Sequence, residues 1–325
     1  MAFSLSIGSR GLRASFLAAG VALSQTIALV MLTGCASQTG QITQVLVEVL
    51  PAAQMVPTKL GRLAVRDSGP ADATGDVLVL WHAVLTDHRI YQAQIEAWRG
   101  RHRLIVIHGP GHGGSQVAPG PFSMADCATA LAETLDALNI TQPVVIVGTS
   151  WGGLVGGEFA LAYPARTRAL VMLNTPINAP AEGLNFSDRF VVWGARWIHA
   201  SSLYRDGVAR AFFLPTTRAQ GGPVIQAFHD HLRQADGPAL ALSVGSVLLE
   251  REALAPRMGG IRAPVLFIVG AEDNMYPPQT LRPAVAQLPQ GRFEVVPSAH
   301  ISVVDAPEPT TRLINEFLAR LPNRR

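Results

Sequence analysis

Beyond residue 59 the chain alternates between two hydrophobic rhythms. Short apolar, β-branched runs occupy 76–82, 103–107, 144–147, 169–173, 264–270 and 292–296, each bounded by glycine, proline or polar turns. Between them, segments at 90–98, 123–138, 154–163, 279–288 and 311–321 read as helices. Runs of the first kind predict buried strands, and apolar spacings of three and four predict helices that cover them. Their alternation predicts an α/β architecture: a mostly parallel sheet flanked on both faces by helices. The stretch 62–67 reads as an early edge strand. Ser123 and Asp126 have the Ser-x-x-acid spacing of a capping box, and Cys127, Leu131, Leu135 and Leu138 behind them share one helical face. Cys127 is therefore expected in the core. From 175 to about 258 the alternation stops. The helical, aromatic-bearing segments there predict a cap at about 176–258, lying over the carboxyl edge of the sheet, where open α/β sheets bind ligands.

The first 58 residues follow a different pattern. Arg10 and Arg13 precede an apolar stretch at 14–32, which ends in Leu32-Thr33-Gly34-Cys35. A positive region, an apolar region and a small-residue box in that order predict a targeting segment. The box resembles the bacterial lipobox, which implies a signal peptide over 1–34, lipidation of Cys35 and a membrane-anchored protein of the bacterial envelope. Ala36 after the cysteine permits sorting to an outer membrane. An uncleaved anchor, or a cytoplasmic protein starting at Met55, is the alternative. Residues 35–58 then read as tether and 59–325 as the catalytic domain.

Composition removes some function classes. With 325 residues, 48% hydrophobic and 15% charged, the chain has enough apolar material for a large core. The net charge of +3 comes almost wholly from arginine, Lys59 being the only lysine, and no basic run forms a nucleic-acid face. Cys35 and Cys127 sit in contexts too different to predict a disulfide.

The strand at 144–147 runs into Gly148-Thr149-Ser150-Trp151-Gly152, and a helical pattern follows at once. Gly-x-Ser-x-Gly between strand and helix places the serine on a sharp turn with its hydroxyl exposed. A free serine needs a base, and the base needs an orienting acid. Asp273 follows the strand at 264–270, with Glu272 beside it as the alternative acid, and His300 follows the strand at 292–296. His82, His88, His108 and His112 cluster suggestively, but none has zinc-type spacing, so neither a metal nor another cofactor is expected. Phe190, Trp193, Trp197, Tyr204, Phe212 and Phe213 are expected to form the cap's own small core, with some lining the pocket. Such a pocket suits a small apolar or cyclic ester or lactone.

From residue 59 to the C-terminus the chain resembles the α/β-hydrolase superfamily, in its lid-bearing esterase and lactonase branch. The resemblance rests on the loop after His82, the loop Gly109-Pro110-Gly111-His112-Gly113-Gly114-Ser115, the serine turn, Gly270-Ala271-Glu272-Asp273, and His300 followed by Asp305, Pro307 and Glu308. It implies an α/β-hydrolase fold with a helical lid insertion. It also implies Ser150 as nucleophile, His300 as general base and Asp273 as the carboxylate holding the imidazole. The backbone N–H groups of Trp151 and Val84 would meet the oxyanion. Two positions depart from the pattern: Ala83 stands where relatives carry glycine after the histidine, and His108 stands where they carry aspartate. The same triad serves amidases, aminopeptidases, perhydrolases and carbon–carbon hydrolases, and an inactive envelope scaffold could keep the fold.

Overall fold

A computed structural model describes residues 50–69, 75–180 and 186–322. Eight strands form one sheet: β1 (Gln54–Thr58), β2 (Gly61–Asp67), β3 (Val77–Trp81), β4 (Arg103–Ile107), β5 (Val144–Thr149), β6 (Thr167–Leu173), β7 (Val265–Gly270) and β8 (Gly291–Val296). Their order in space is β1-β2-β4-β3-β5-β6-β7-β8. Pairing is antiparallel for β1–β2 and β2–β4, and parallel from β4 to β8. Every residue of β3, β5 and β7 is buried, the signature of strands covered on both faces.

The edge differs from the sequence expectation. Residues 62–67 do form a strand, but β1 covers them, so the segment read as tether through residue 58 already belongs to the sheet from Gln54. Pro57 and the polar ends of Gln54–Thr58 hide this strand from a reading of apolar runs. An edge strand tolerates the missing proline N–H, and Val56 turns inward as its one buried side chain.

The covering helices are α1 (Gln92–Trp98), α2 (Met124–Ala137) and α3 (Trp151–Ala162). The capping box is present at the start of α2, where Ser123 Oγ accepts from the Asp126 N–H and the Asp126 carboxylate accepts from the Ser123 N–H. Cys127 is fully buried, and burial pushes its thiol pKa up, which makes it inert packing. Between β6 and β7 run α4 (Phe186–Trp197), α5 (Ser202–Phe212), α6 (Pro215–Gln220), α7 (Pro223–Gln234) and α8 (Gly237–Leu248). After β7 come α9 (Pro278–Val285), α10 (Ser302–Asp305) and α11 (Pro307–Ala319). Among the described residues no helix is long and apolar enough to cross a membrane. The leader 1–34 and Cys35 lie outside the described residues.

The cap aromatics divide into two sets. Tyr204, Phe212 and Phe213 are buried, and Phe213 meets Phe228 edge to face at 5.2 Å. Phe190, Trp193 and Trp197 are exposed instead of packed inward. The buried side of α4 belongs to its small residues, Gly194 and Ala195; Gly194 lets the Tyr204 ring close in, and Tyr204 donates its hydroxyl to the Val191 carbonyl at 3.0 Å.

Candidate active site

Ser150 sits between the last residue of β5 and the first of α3, with φ 52° and ψ −107°. A non-glycine residue there is strained by about 1–3 kcal/mol and persists only where its surroundings impose it. The surroundings are two glycines. A Cβ on Gly148 would lie 2.1 Å from the Gly152 carbonyl group, and one on Gly152 would lie 1.9 Å from the Trp81 oxygen. The Ser150 N–H is tied to the Leu173 carbonyl at 2.7 Å, which fixes the turn against β6.

Asp273 and His300 follow β7 and β8, so Ser150, Asn174, Asp273 and His300 stand at the carboxyl ends of four strands that are neighbours in the sheet. His300 Nδ1 lies 2.8 Å from Asp273 Oδ2. Glu272 is exposed, so the structure brings Asp273 and not its neighbour to the imidazole. The Asp273 carboxylate is held from every side. Asn174 Nδ2 donates to Oδ2 at 3.1 Å, and the N–H groups of Met275 and Tyr276 donate to Oδ1 at 3.2 and 3.1 Å. Burial opposes its ionisation, but the His300 charge and these hydrogen bonds outweigh it and hold the carboxyl below its usual range. With Nδ1–H directed at Asp273, Nε2 of His300 is left as the basic nitrogen.

Four residues here take roles that the sequence reading did not assign to them. Asn174, with φ 48°, joins Asp273 to the Ala299 carbonyl, so it serves the acid without being one. Phe212 and Tyr276 flank the imidazole at ring distances of 5.4 and 5.5 Å. Asp305 accepts from the Ala299 N–H at 2.9 Å and from the Leu214 N–H at 3.2 Å, joining the histidine loop to the start of α6. Asn174 at a strand end, Phe212 among the cap aromatics and Asp305 after His300 each carried some signal in the sequence, and Tyr276 carried none.

The loop after β3 answers the departure at Ala83. Its positive φ falls on Leu85, at 67°, so Ala83 needs no left-handed backbone. The turn closes through the Thr86 N–H and hydroxyl, both donating to the Ala83 oxygen at 3.1 and 2.7 Å. Two histidines then brace it. His82 Nε2 accepts from the Gly109 N–H at 3.1 Å, which puts its proton on Nδ1, donated to the Ala83 carbonyl at 2.7 Å. His112 Nε2 accepts from the Leu85 N–H at 3.1 Å, and its Nδ1–H goes to Pro110 at 2.9 Å. Beneath them the buried Trp151 indole meets Trp81, His82 and His112 edge-on at 5.5–5.7 Å. Within the described residues no group accepts from the backbone N–H of Val84 or of Trp151, although both residues are buried.

His108 donates Nδ1–H to the Ala64 carbonyl, and its Nε2 accepts a hydrogen bond from His88 Nδ1–H at 2.9 Å. The histidine cluster is thus engaged in hydrogen bonds, and among the described residues no three His, Cys, Asp or Glu side chains are grouped to hold a metal. A cavity of about 580 Å³ lies beside the cluster, lined by Arg66, His88, His108 and His231; Ser150, Asp273 and His300 are not in its walls.

Burial lowers His82 and His108 to about 3 and His112 well below its ordinary 6.5. These imidazoles are neutral in the fold, whereas the unfolded chain protonates them near pH 6.5. Their contribution to stability is therefore complete above pH 6.5 and is lost as pH falls toward 3. Each costs the fold about 1.4 kcal/mol per pH unit, or about 2 kcal/mol by pH 5. The melting temperature should stay level from pH 7 to 9 and drop steeply between pH 6 and 4.5 in a calorimetric series. A level profile down to pH 4.5 would contradict the buried neutral assignment.

The comparisons with known proteins come to the same fold. A sequence model of the alpha/beta hydrolase fold family matches residues 76–307. The chain belongs to that family. It is 24% identical over 250 residues to 3-oxoadipate enol-lactonase 2 of Acinetobacter baylyi, covering 75% of this chain and 88% of the relative. It is 26% identical over 256 residues to the pimeloyl-[acyl-carrier protein] methyl ester esterase of Xylella fastidiosa strain M12, covering 76% and 97%. Among solved structures, a thermophilic esterase from Thermogutta terrifontis with malate bound superposes with a TM-score of 0.75. It is 25% identical and is covered fully by 84% of this chain.

Proposed function

We propose that this ester-hydrolysing α/β hydrolase acts on a small apolar or cyclic carboxylic ester or lactone through an acyl-enzyme on Ser150. The observation that carries the reading is the His300–Asp273 pair at 2.8 Å, set two and three strands along the sheet from the strained Ser150 turn. His300 Nε2 takes the Ser150 proton as Oγ attacks the carbonyl carbon. The N–H groups of Trp151 and Val84 receive the developing oxyanion, each contributing about 3 kcal/mol to the transition state. The imidazolium returns its proton to the leaving alkoxide, and water, activated by the same imidazole, releases the acid. Phe212 and Tyr276 beside His300 favour an apolar acyl or ring portion over a charged one. The names of the relatives, an enol-lactonase and a methyl ester esterase, support the ester and lactone class.

A fluorophosphonate probe tests the reading directly. Peptide mass mapping should find a single adduct on Ser150, and prior incubation with an ester substrate should slow its formation. A protein that stays unlabelled is an inactive scaffold, and the proposal fails.

We further infer export and lipidation at Cys35, giving a protein anchored in the bacterial envelope. The support is the order of Arg10, Arg13, the apolar stretch 14–32 and Leu32-Thr33-Gly34-Cys35. Expressed in a diderm bacterium, the wild type should incorporate labelled fatty acid and lose its leader, whereas Cys35→Ala should remain unprocessed. Equal processing of both proteins would exclude the lipobox reading.

A further inference from the structure

The exposed side of α4 is unlike any other surface among the described residues. Phe186, Phe190, Trp193 and Trp197 are 81%, 46%, 49% and 63% exposed, and their spacing of four, three and four places them on one stripe. Phe190 and Trp193 stack at 5.7 Å, so the stripe is ordered in itself and not folded back on the lid. The opposite side is already used. A Cβ on Gly194 would come within 2.5 Å of the Tyr204 ring, and α4 packs along α8. Large aromatic stripes of this kind mark an interaction face on a soluble domain.

Its charges identify the occupant. Arg189 and Arg196 are exposed on the same helix, and the Arg196 guanidinium lies 5.1 Å over the Trp197 ring. The one acid of α4, Asp188, is half-buried. The same tryptophans and arginines border an open groove of about 800 Å³, with Leu242 and Leu249 among its walls; the one acid in the lining, Asp236, is engaged in capping α8 through the Ala239 N–H at 2.9 Å. Trp with Arg above an apolar floor matches the boundary between acyl chains and anionic headgroups, where amphipathic rings and long basic side chains concentrate. We propose that the outer face of α4 seats the lid in the interface of an anionic lipid bilayer. The inference draws on the lipid-anchor reading for what brings the domain to a bilayer, and on α4 alone for how it is oriented there.

The tryptophans provide a clean readout. Trp81, Trp98 and Trp151 are fully buried, and Trp193 and Trp197 are the two exposed ones. The full chain is mixed with vesicles of phosphatidylglycerol and dibrominated phosphatidylcholine. Its emission should shift to the blue and be quenched, and Arg189→Glu/Arg196→Glu should weaken vesicle affinity of a Cys35→Ala chain by about tenfold or more. A Cys35→Ala chain that still binds and is quenched shows α4 acting without the anchor. A chain that cosediments with vesicles but is not quenched overturns the docking of α4 and leaves the anchor standing. No cosedimentation overturns both. A blue shift that depends on protein concentration without lipid, with no quenching in vesicles, assigns the stripe to a second copy and overturns the proposal.

Discussion

Ser150→Ala should abolish hydrolysis of short-chain p-nitrophenyl esters while leaving the protein folded. Removal of the nucleophile from a serine triad lowers kcat by about a million-fold, leaving only the contribution of the oxyanion site and binding. The substitution should cost little stability. Alanine has the same Cβ as serine, so the strain at φ 52° is unchanged, and the Ser150 backbone bonds to Leu173, Gly153 and Leu154 do not involve the side chain. Circular dichroism melting should move by no more than a few degrees. Turnover within about tenfold of wild type would remove Ser150 from the mechanism, since no leftover chemistry of the site reaches that rate.

Asp273→Asn should be almost as damaging, for a reason of hydrogen-bond polarity. The carboxylate accepts four protons: from His300 and Asn174 on Oδ2, and from the N–H groups of Met275 and Tyr276 on Oδ1. An amide can turn its oxygen toward only one of these pairs. With the oxygen toward the backbone donors, its NH2 faces Asn174 Nδ2 and forces His300 to present Nδ1 as an acceptor. The proton then occupies Nε2, the nitrogen required as base. A wrong tautomer of this kind in a serine protease costs about 10,000-fold in kcat, and the same order is expected here from steady-state ester hydrolysis. Glu272→Gln is the control, because Glu272 is exposed and should leave kcat unchanged. The assignment of the acid is wrong if the two variants exchange these outcomes.

The sheet was legible because β3, β5 and β7 are short, almost wholly apolar runs bounded by turn residues, a pattern that suits a strand covered on both faces. The serine turn was legible because two glycines and a serine between strand and helix have a single steric explanation. β1 was not, since Pro57 and the polar ends of Gln54–Thr58 give no period to read. The direction of α4 was not legible either. Aromatic and small residues alternate around that helix, and sequence order favours burying the aromatics. In three dimensions Gly194 lies against the Tyr204 ring, Ala195 is buried beside it in the chain, and the aromatic rings are left outside. Asn174 and Asp305 act by joining loops distant in sequence, and the bonds of His82 to the Gly109 N–H and of His112 to the Leu85 N–H depend on two loops meeting. Such roles belong to the fold and not to any local pattern.

Asp305 gives the helical segment between β6 and β7 and the loop that carries His300 a common fastening. One of its oxygens holds the Ala299 N–H, the residue before His300, and the same carboxylate holds the Leu214 N–H at the threshold of α6. Removing that carboxylate, as in Asp305→Ala, takes an acceptor from the loop before His300 and from the start of α6 at once, so one side chain holds two segments that the sequence keeps far apart.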